Sequence, residues 1–242
     1  MSTRAKADAL SVRMQRAERL AGLGRVTAGV AYEIRNPISA LRLQGENALA
    51  GDDMRRRAAI GDMLGQVNRL DGLVAELLAM TQRRDPQPRR IDLEMLLQAC
   101  ADRHRPQAMG RRVRIIAASD VSSAVIYPDM IARILDNLVL NAVRHASEGG
   151  LVALSARMER GVLTITVEDT GAGVPPDLRD RLFEPFVTGQ PDGTGLGLAI
   201  AHELADAHGG RELLRRPGGE KEGEGAMFTL ELPMTESECR GS

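Results

Sequence analysis

The chain has 242 residues, room for one large domain or two modest ones that can each bury a core without disulfide or metal staples. Its 32 basic and 33 acidic side chains leave a formal net charge of −1, so no global field draws it to nucleic acid or to an anionic membrane. Aromatic residues make up 2% of the chain and Trp is absent, which removes the stacking platforms of single-strand readers; no nucleic-acid partner is expected.

Apolar residues at Leu10, Met14, Ala17, Leu20, Leu23, Val26, Val30, Ile34, Ile38 and Leu41 step by threes and fours, the stripe of one long helix with a coiled-coil-like seam. Ala50-Gly51-Asp52 interrupts it, and Ile60, Met63, Val67, Leu70, Val74, Leu77 and Leu78 form a second stripe, so the two helices read as a hairpin. Two helices cannot hide both stripes from water, and a four-helix bundle made with a second copy is expected. Residues 83–90 hold two prolines and no apolar side chain, and read as a linker. The divisions expected are a helical extension over 1–18, the hairpin over 19–82, the linker over 83–90, a catalytic domain over 91–234 and a tail over 235–242.

Beyond the linker the periods mix. Helices are predicted over 93–109, 129–145 and 196–208, and strands over 113–116, 125–127, 151–158, 162–167 and 227–232, an α/β sandwich. The low-complexity run over 217–225 reads as a solvated hairpin loop. Cys100 and Cys239 have no metal-type spacing and read as reduced thiols. No apolar run approaches the roughly 18 residues of a membrane span, so a cytoplasmic chain without a membrane segment is expected.

Four local patterns carry chemistry. Asn137 and Asn141 are four apart on one helical face among Leu and Val, where amide oxygens suit a hard cation such as magnesium; a solvated face is the plainer reading. Asp169-Thr170-Gly171-Ala172-Gly173 follows a strand: the carboxylate can accept a hydrogen bond from an adenine amine and the glycines allow close approach, although a simple turn explains the same residues. Gly193-Thr194-Gly195-Leu196-Gly197 opens a helix whose bare first-turn amides suit phosphate oxygens. A dinucleotide fingerprint would need a strand directly before those glycines, where this chain has loop. Phe183 and Phe186 start that loop and suit an apolar clamp on a lid, or simply core anchors.

Together these patterns resemble the ATP-binding domain shared by histidine kinases, type II topoisomerases, mismatch-repair ATPases and the large heat-shock chaperones. The resemblance implies a Bergerat-type α/β sandwich with ATP and Mg2+ under a lid. By match to its motifs, Asn141 is the magnesium ligand with Asn137 beside it, Asp169 is the adenine contact, and Gly171, Gly173, Gly193, Gly195 and Gly197 shape the pocket, with His145 near the nucleotide. Where many relatives have Thr-Thr-Lys in the lid, this chain reads Val187-Thr188-Gly189-Gln190.

In the hairpin, Tyr32-Glu33-Ile34-Arg35-Asn36-Pro37 resembles the acceptor sequence His-Glu-x-Arg-Asn-Pro of sensor histidine kinases in every fixed place but the first. The order hairpin, linker, ATP domain is that of the family, which implies a two-component core: a homodimer that binds Mg-ATP, docks the receiver domain of a response regulator, and can be the soluble part of a membrane-bound sensor. Tyr32 holds the phospho-acceptor position. A phenol titrates near 10 and an imidazole near 6.5, so autophosphorylation is expected to be impaired, with Glu33 still placed as base or orienter. Asn36 falls where the family orients water for dephosphorylation. The rival expectation is a pseudokinase scaffold, or a phosphatase-only regulator, that binds ATP and a response regulator without phosphotransfer.

Overall fold

A computed structural model describes residues 34–49, 52–81, 87–189, 193–218 and 224–234. The chain divides into two compact units, residues 1–81 and 82–242. In the first, α1 covers residues 34–49 and α2 is Asp53–Thr81. Asp52 starts α2 by accepting the amide of Arg55 at 2.9 Å, satisfying one of the four donors a helix start leaves open. The helices fold back on each other: the Arg56 guanidinium donates to the Ala48 carbonyl at 3.3 Å, and Met63 lies over Gly45. Pro37 lies within α1; the stripe before Ile34, with Tyr32 and Glu33, lies outside the described residues. No helix among the described residues is long and apolar enough to cross a membrane.

The second unit is an α/β sandwich. Its elements are β1 (Arg89–Asp92), α3 (Leu93–Gly110), β2 (Arg114–Ser119), β3 (Ser123–Ile126), α4 (Pro128–His145), β4 (Leu151–Glu159), β5 (Val162–Asp169), a 3-10 turn at Pro176–Arg181, α5 (Gly197–Ala207), β6 (Arg211–Arg216) and β7 (Met227–Pro233). Five strands form one sheet in the order β2-β4-β5-β7-β6, with only β2 and β4 parallel; β1 and β3 make a separate antiparallel pair. Alternation decides which face is buried: Val152 and Leu154, Leu163 and Ile165, Phe228 and Leu230 all turn toward the helices, each 2% exposed or less. Ile131, Ile134, Leu135, Leu138 and Val139 of α4 close the core from the other side, each fully buried. Truncating one of these leucines to Ala would cost roughly 2–5 kcal/mol.

Three local findings differ from the sequence reading. Arg89 and Arg90, read as linker, form β1 because their backbones pair with Val125 and Ile126. β6 was not anticipated, because Arg211-Glu212-Leu213-Leu214 lacks alternation. The ends of the 217–225 loop are not solvated: Gly218 and Gly225 are buried, and the Pro217 carbonyl accepts the Val174 amide at 2.6 Å. Positions 219–223 of that loop lie outside the described residues, as do 1–18 and the tail over 235–242.

Candidate functional site

Asp169 ends β5 on the core-facing side of the strand, in line with Leu163, Ile165 and Val167, and is 2% exposed. A strand that delivers apolar residues inward at every second position therefore delivers a carboxyl group at its last one. Its Oδ1 accepts the Gly171 amide at 2.7 Å. Burial pushes the acid above the usual carboxylate range, and backbone donors at Gly171 and Ala226 pull it back part of the way.

Glycines wall this acid in. A β-carbon at Gly171 would fall 2.0 Å from the His145 carbonyl, and one at Gly173, where φ is +77°, would fall 2.4 Å from the Pro217 carbonyl. A β-carbon at Gly225 would fall 2.1 Å from Asp169 Oδ1. The run after β5 thus closes against the end of α4 on one side and against the β6–β7 connection on the other. Gly225 was missed in the sequence because it stands in a low-complexity run; the small residue just before strand β7 was the available signal.

Asn137 and Asn141 are half-buried on α4. A β-carbon at Gly197, the first residue of α5, would lie 3.3 Å from the Asn137 side-chain oxygen, so that glycine lets α5 start close against α4. α5 has no side-chain cap, which leaves its first amides open to an acceptor. Just before it, Thr194 Oγ1 accepts the Leu196 amide at 3.3 Å, and Leu196 is fully buried. Gly195 has φ +65° and its carbonyl accepts the Phe186 amide at 3.0 Å, tying the segment that starts at Phe186 to the glycine run that holds Gly193. His145 is exposed at the end of α4 and contributes its carbonyl beside Gly171.

The two phenylalanines separate. Phe183 stacks on His202 of α5 with ring centroids 4.9 Å apart and meets Phe228 of the core edge-on at 6.4 Å. That packing suits the core anchor, one of the two roles its place in the sequence offered. Phe186 is half-buried with φ +67°, a conformation that a bulky residue adopts only under constraint. In the hairpin, Asn36 is exposed on α1, while Tyr32 and Glu33 lie outside the described residues.

The donor set fits a purine nucleotide with a hard cation: a buried acid for a base amine, amide oxygens for a divalent ion and uncapped helix amides for phosphate. Residues 127–236 match the family described as histidine kinase-, DNA gyrase B- and HSP90-like ATPase, and residues 23–86 match the His Kinase A (phospho-acceptor) domain. The chain belongs to the histidine kinases. This kinase chain is 33% identical over 227 residues to the sensor histidine kinase ZraS of Escherichia coli K12, covering 91% of the chain and 48% of ZraS. It thus spans about half the length of the curated relatives it matches. Among solved structures, ShkA in complex with AMPPNP is 29% identical with a TM-score of 0.59, over 89% of this chain and 45% of ShkA. The histidine kinase ThkA, solved in complex with the response regulator TrrA, shares the fold with a TM-score of 0.73 at 24% identity, over 93% of this chain and 66% of that one.

Proposed function

We propose that the chain is the core of a two-component sensor kinase working on the cytoplasmic side of a membrane or in the cytoplasm, in which the second unit binds Mg-ATP and the hairpin dimerises and docks a response regulator. The buried carboxyl of Asp169, enclosed by Gly171, Gly173 and Gly225, carries the reading, because a plain turn has no use for an acid at 2% exposure. Asp169 would accept the adenine amine, Asn141 with Asn137 would hold magnesium, and the amides from Gly193 to Gly197 would take the phosphates. That ShkA was solved in complex with AMPPNP supports nucleotide binding by a chain of this kind.

Dimerisation is supported by α2, where Ile60, Val67 and Val74 stand 49%, 42% and 45% exposed at seven-residue spacing, an apolar seam open to a partner helix. The TrrA complex of ThkA supports docking of a receiver domain on a chain of this fold.

Tyr32 at the acceptor position impairs histidine autophosphorylation in this reading, since a phenol is a weak nucleophile at neutral pH. The rival, a scaffold or phosphatase-only regulator, draws on Asn36, which is exposed on α1 and so accessible to a docked partner. Calorimetric titration with ATP tests what the readings share. Magnesium-dependent binding that prefers ATP to GTP and weakens in Asp169→Asn is expected, and no binding with or without magnesium would overturn both.

A further inference from the structure

Outside the nucleotide pocket, α3 and α4 bring a second set of donor atoms to one point. Cys100 and His104 are four apart on α3 and share a face, and Asp136 reaches them from α4. One atom of each, Cys100 Sγ, His104 Nε2 and a carboxylate oxygen of Asp136, lies within 4.8 Å of the others. Asp136 Oδ1 is 2.9 Å from His104 Nε2 and 3.5 Å from Cys100 Sγ. A tetrahedral zinc ion with bonds of roughly 2.0–2.3 Å to such donors holds them roughly 3.3–3.5 Å apart. Cys100 is fully buried, while the side chains of His104 and Asp136 are 13% and 37% exposed, so the cluster opens to solvent at the carboxylate.

The same oxygen also receives Nε and Nη2 of Arg103, at 3.2 and 2.8 Å. An Arg103–Asp136 ion pair accounts for the carboxylate alone. It does not account for a cysteine and a histidine turned to the same oxygen, four donors on an atom with two lone pairs.

We propose that Cys100, His104 and Asp136 form a binding site for a thiophilic divalent cation of the zinc type, which bridges α3 to α4. On binding, the Cys100 thiol proton leaves to solvent as the metal–sulfur bond forms, the imidazole proton moves from Nε2 to Nδ1 to free the ligating lone pair, and Asp136 binds as the carboxylate. The thiolate and carboxylate together balance the charge of the ion. Arg103, with its side chain 45% exposed, turns outward. Without an ion the Cys100 thiol lies buried against Asp136. Cysteine spacing alone does not reveal the site, since its third member lies 36 residues from Cys100.

Titration of the full chain with Co2+ in the absence of nucleotide tests this. One equivalent should produce a sulfur-to-cobalt charge-transfer band in the near ultraviolet together with the visible bands of a tetrahedral site, and Zn2+ should abolish both. The charge-transfer band should vanish in Cys100→Ser, persist in Cys239→Ser, and weaken in His104→Gln. Arg103→Gln should bind about fivefold more tightly, because a competing cation is removed; a merely structural role for Arg103 would not produce this. A circular-dichroism melt confirms that each variant is folded. No band at one equivalent, or a band that follows Cys239, would overturn the proposal, as would weaker binding in a folded Arg103→Gln.

Discussion

Asp169 and Gly225 are packed so closely that a single methyl group would occupy the space of the acid: the β-carbon position of Gly225 is 2.1 Å from Asp169 Oδ1. Gly225→Ala must therefore displace the carboxyl or the strand end that carries it, and ATP affinity should fall at least about tenfold. Gly209 is the matched control. It has φ +74° with nothing within 4 Å, so Gly209→Ala should cost about 1 kcal/mol of stability by backbone strain and leave ATP affinity unchanged. Isothermal titration and urea melts of the two variants separate these effects.

In the proposed role Asp169 accepts most strongly when ionised, because protonation removes its charge and turns one oxygen into a donor, and burial raises its protonation range. ATP affinity should therefore weaken on acidification at a higher pH than an ordinary aspartate would impose. Asp169→Asn should lower affinity about 10- to 100-fold at neutral pH and flatten that profile. An acid limb unchanged in Asp169→Asn would assign the titration to another group.

Glu212 is 1% exposed on β6, directly opposite the buried Leu230 of β7, with neither carboxyl oxygen hydrogen-bonded. Burial, helped by the charge of Asp206, pushes it up from 4.5 to about 8. Because the folded state holds this proton more tightly than the unfolded chain, its contribution to stability is full below pH 4.5, declines as pH rises toward 8, and is lost above. Glu212→Gln should match the parent in urea at pH 4.5 and exceed it at pH 8.5 by several kcal/mol, on the order of 3–5. A gap that does not change with pH would contradict the assignment.

The apolar seam on α2 predicts assembly through the hairpin. Val67→Lys places a charge at the middle of the Ile60, Val67, Val74 row, which is 42% exposed at that position, and should shift sedimentation from dimer to monomer while ATP binding by the second unit persists. Unchanged sedimentation would move the interface elsewhere.

The signals of the candidate site were legible where their physics is local. Asp169 follows three inward residues of β5 at strict alternation, and the Asn137–Asn141 pair stands among Leu and Val on one face of α4, so both stand out before any fold is known. Gly225 did not, because its role comes from a long-range contact with Asp169 and its neighbours are glycines and glutamates. β6 was hidden for a related reason: its inward position carries Glu212, a charge where alternation calls for an apolar residue, so the strand is recognisable only from its pairing with β7. Phe183 could be read from its place in the chain as a lid clamp or as a core anchor, and the packed rings of His202 and Phe228 favour the anchor.

In the function proposed above, a working nucleotide engine is joined to a hairpin in which Tyr32 would hold the acceptor position. The most direct measurement follows label from γ-labelled ATP with magnesium onto the parent chain and onto Tyr32→His, with retention compared after acid and after alkali. The account predicts acid-labile, alkali-stable label on Tyr32→His and none on the parent. Label on neither chain, or acid-stable label on the parent, would contradict it.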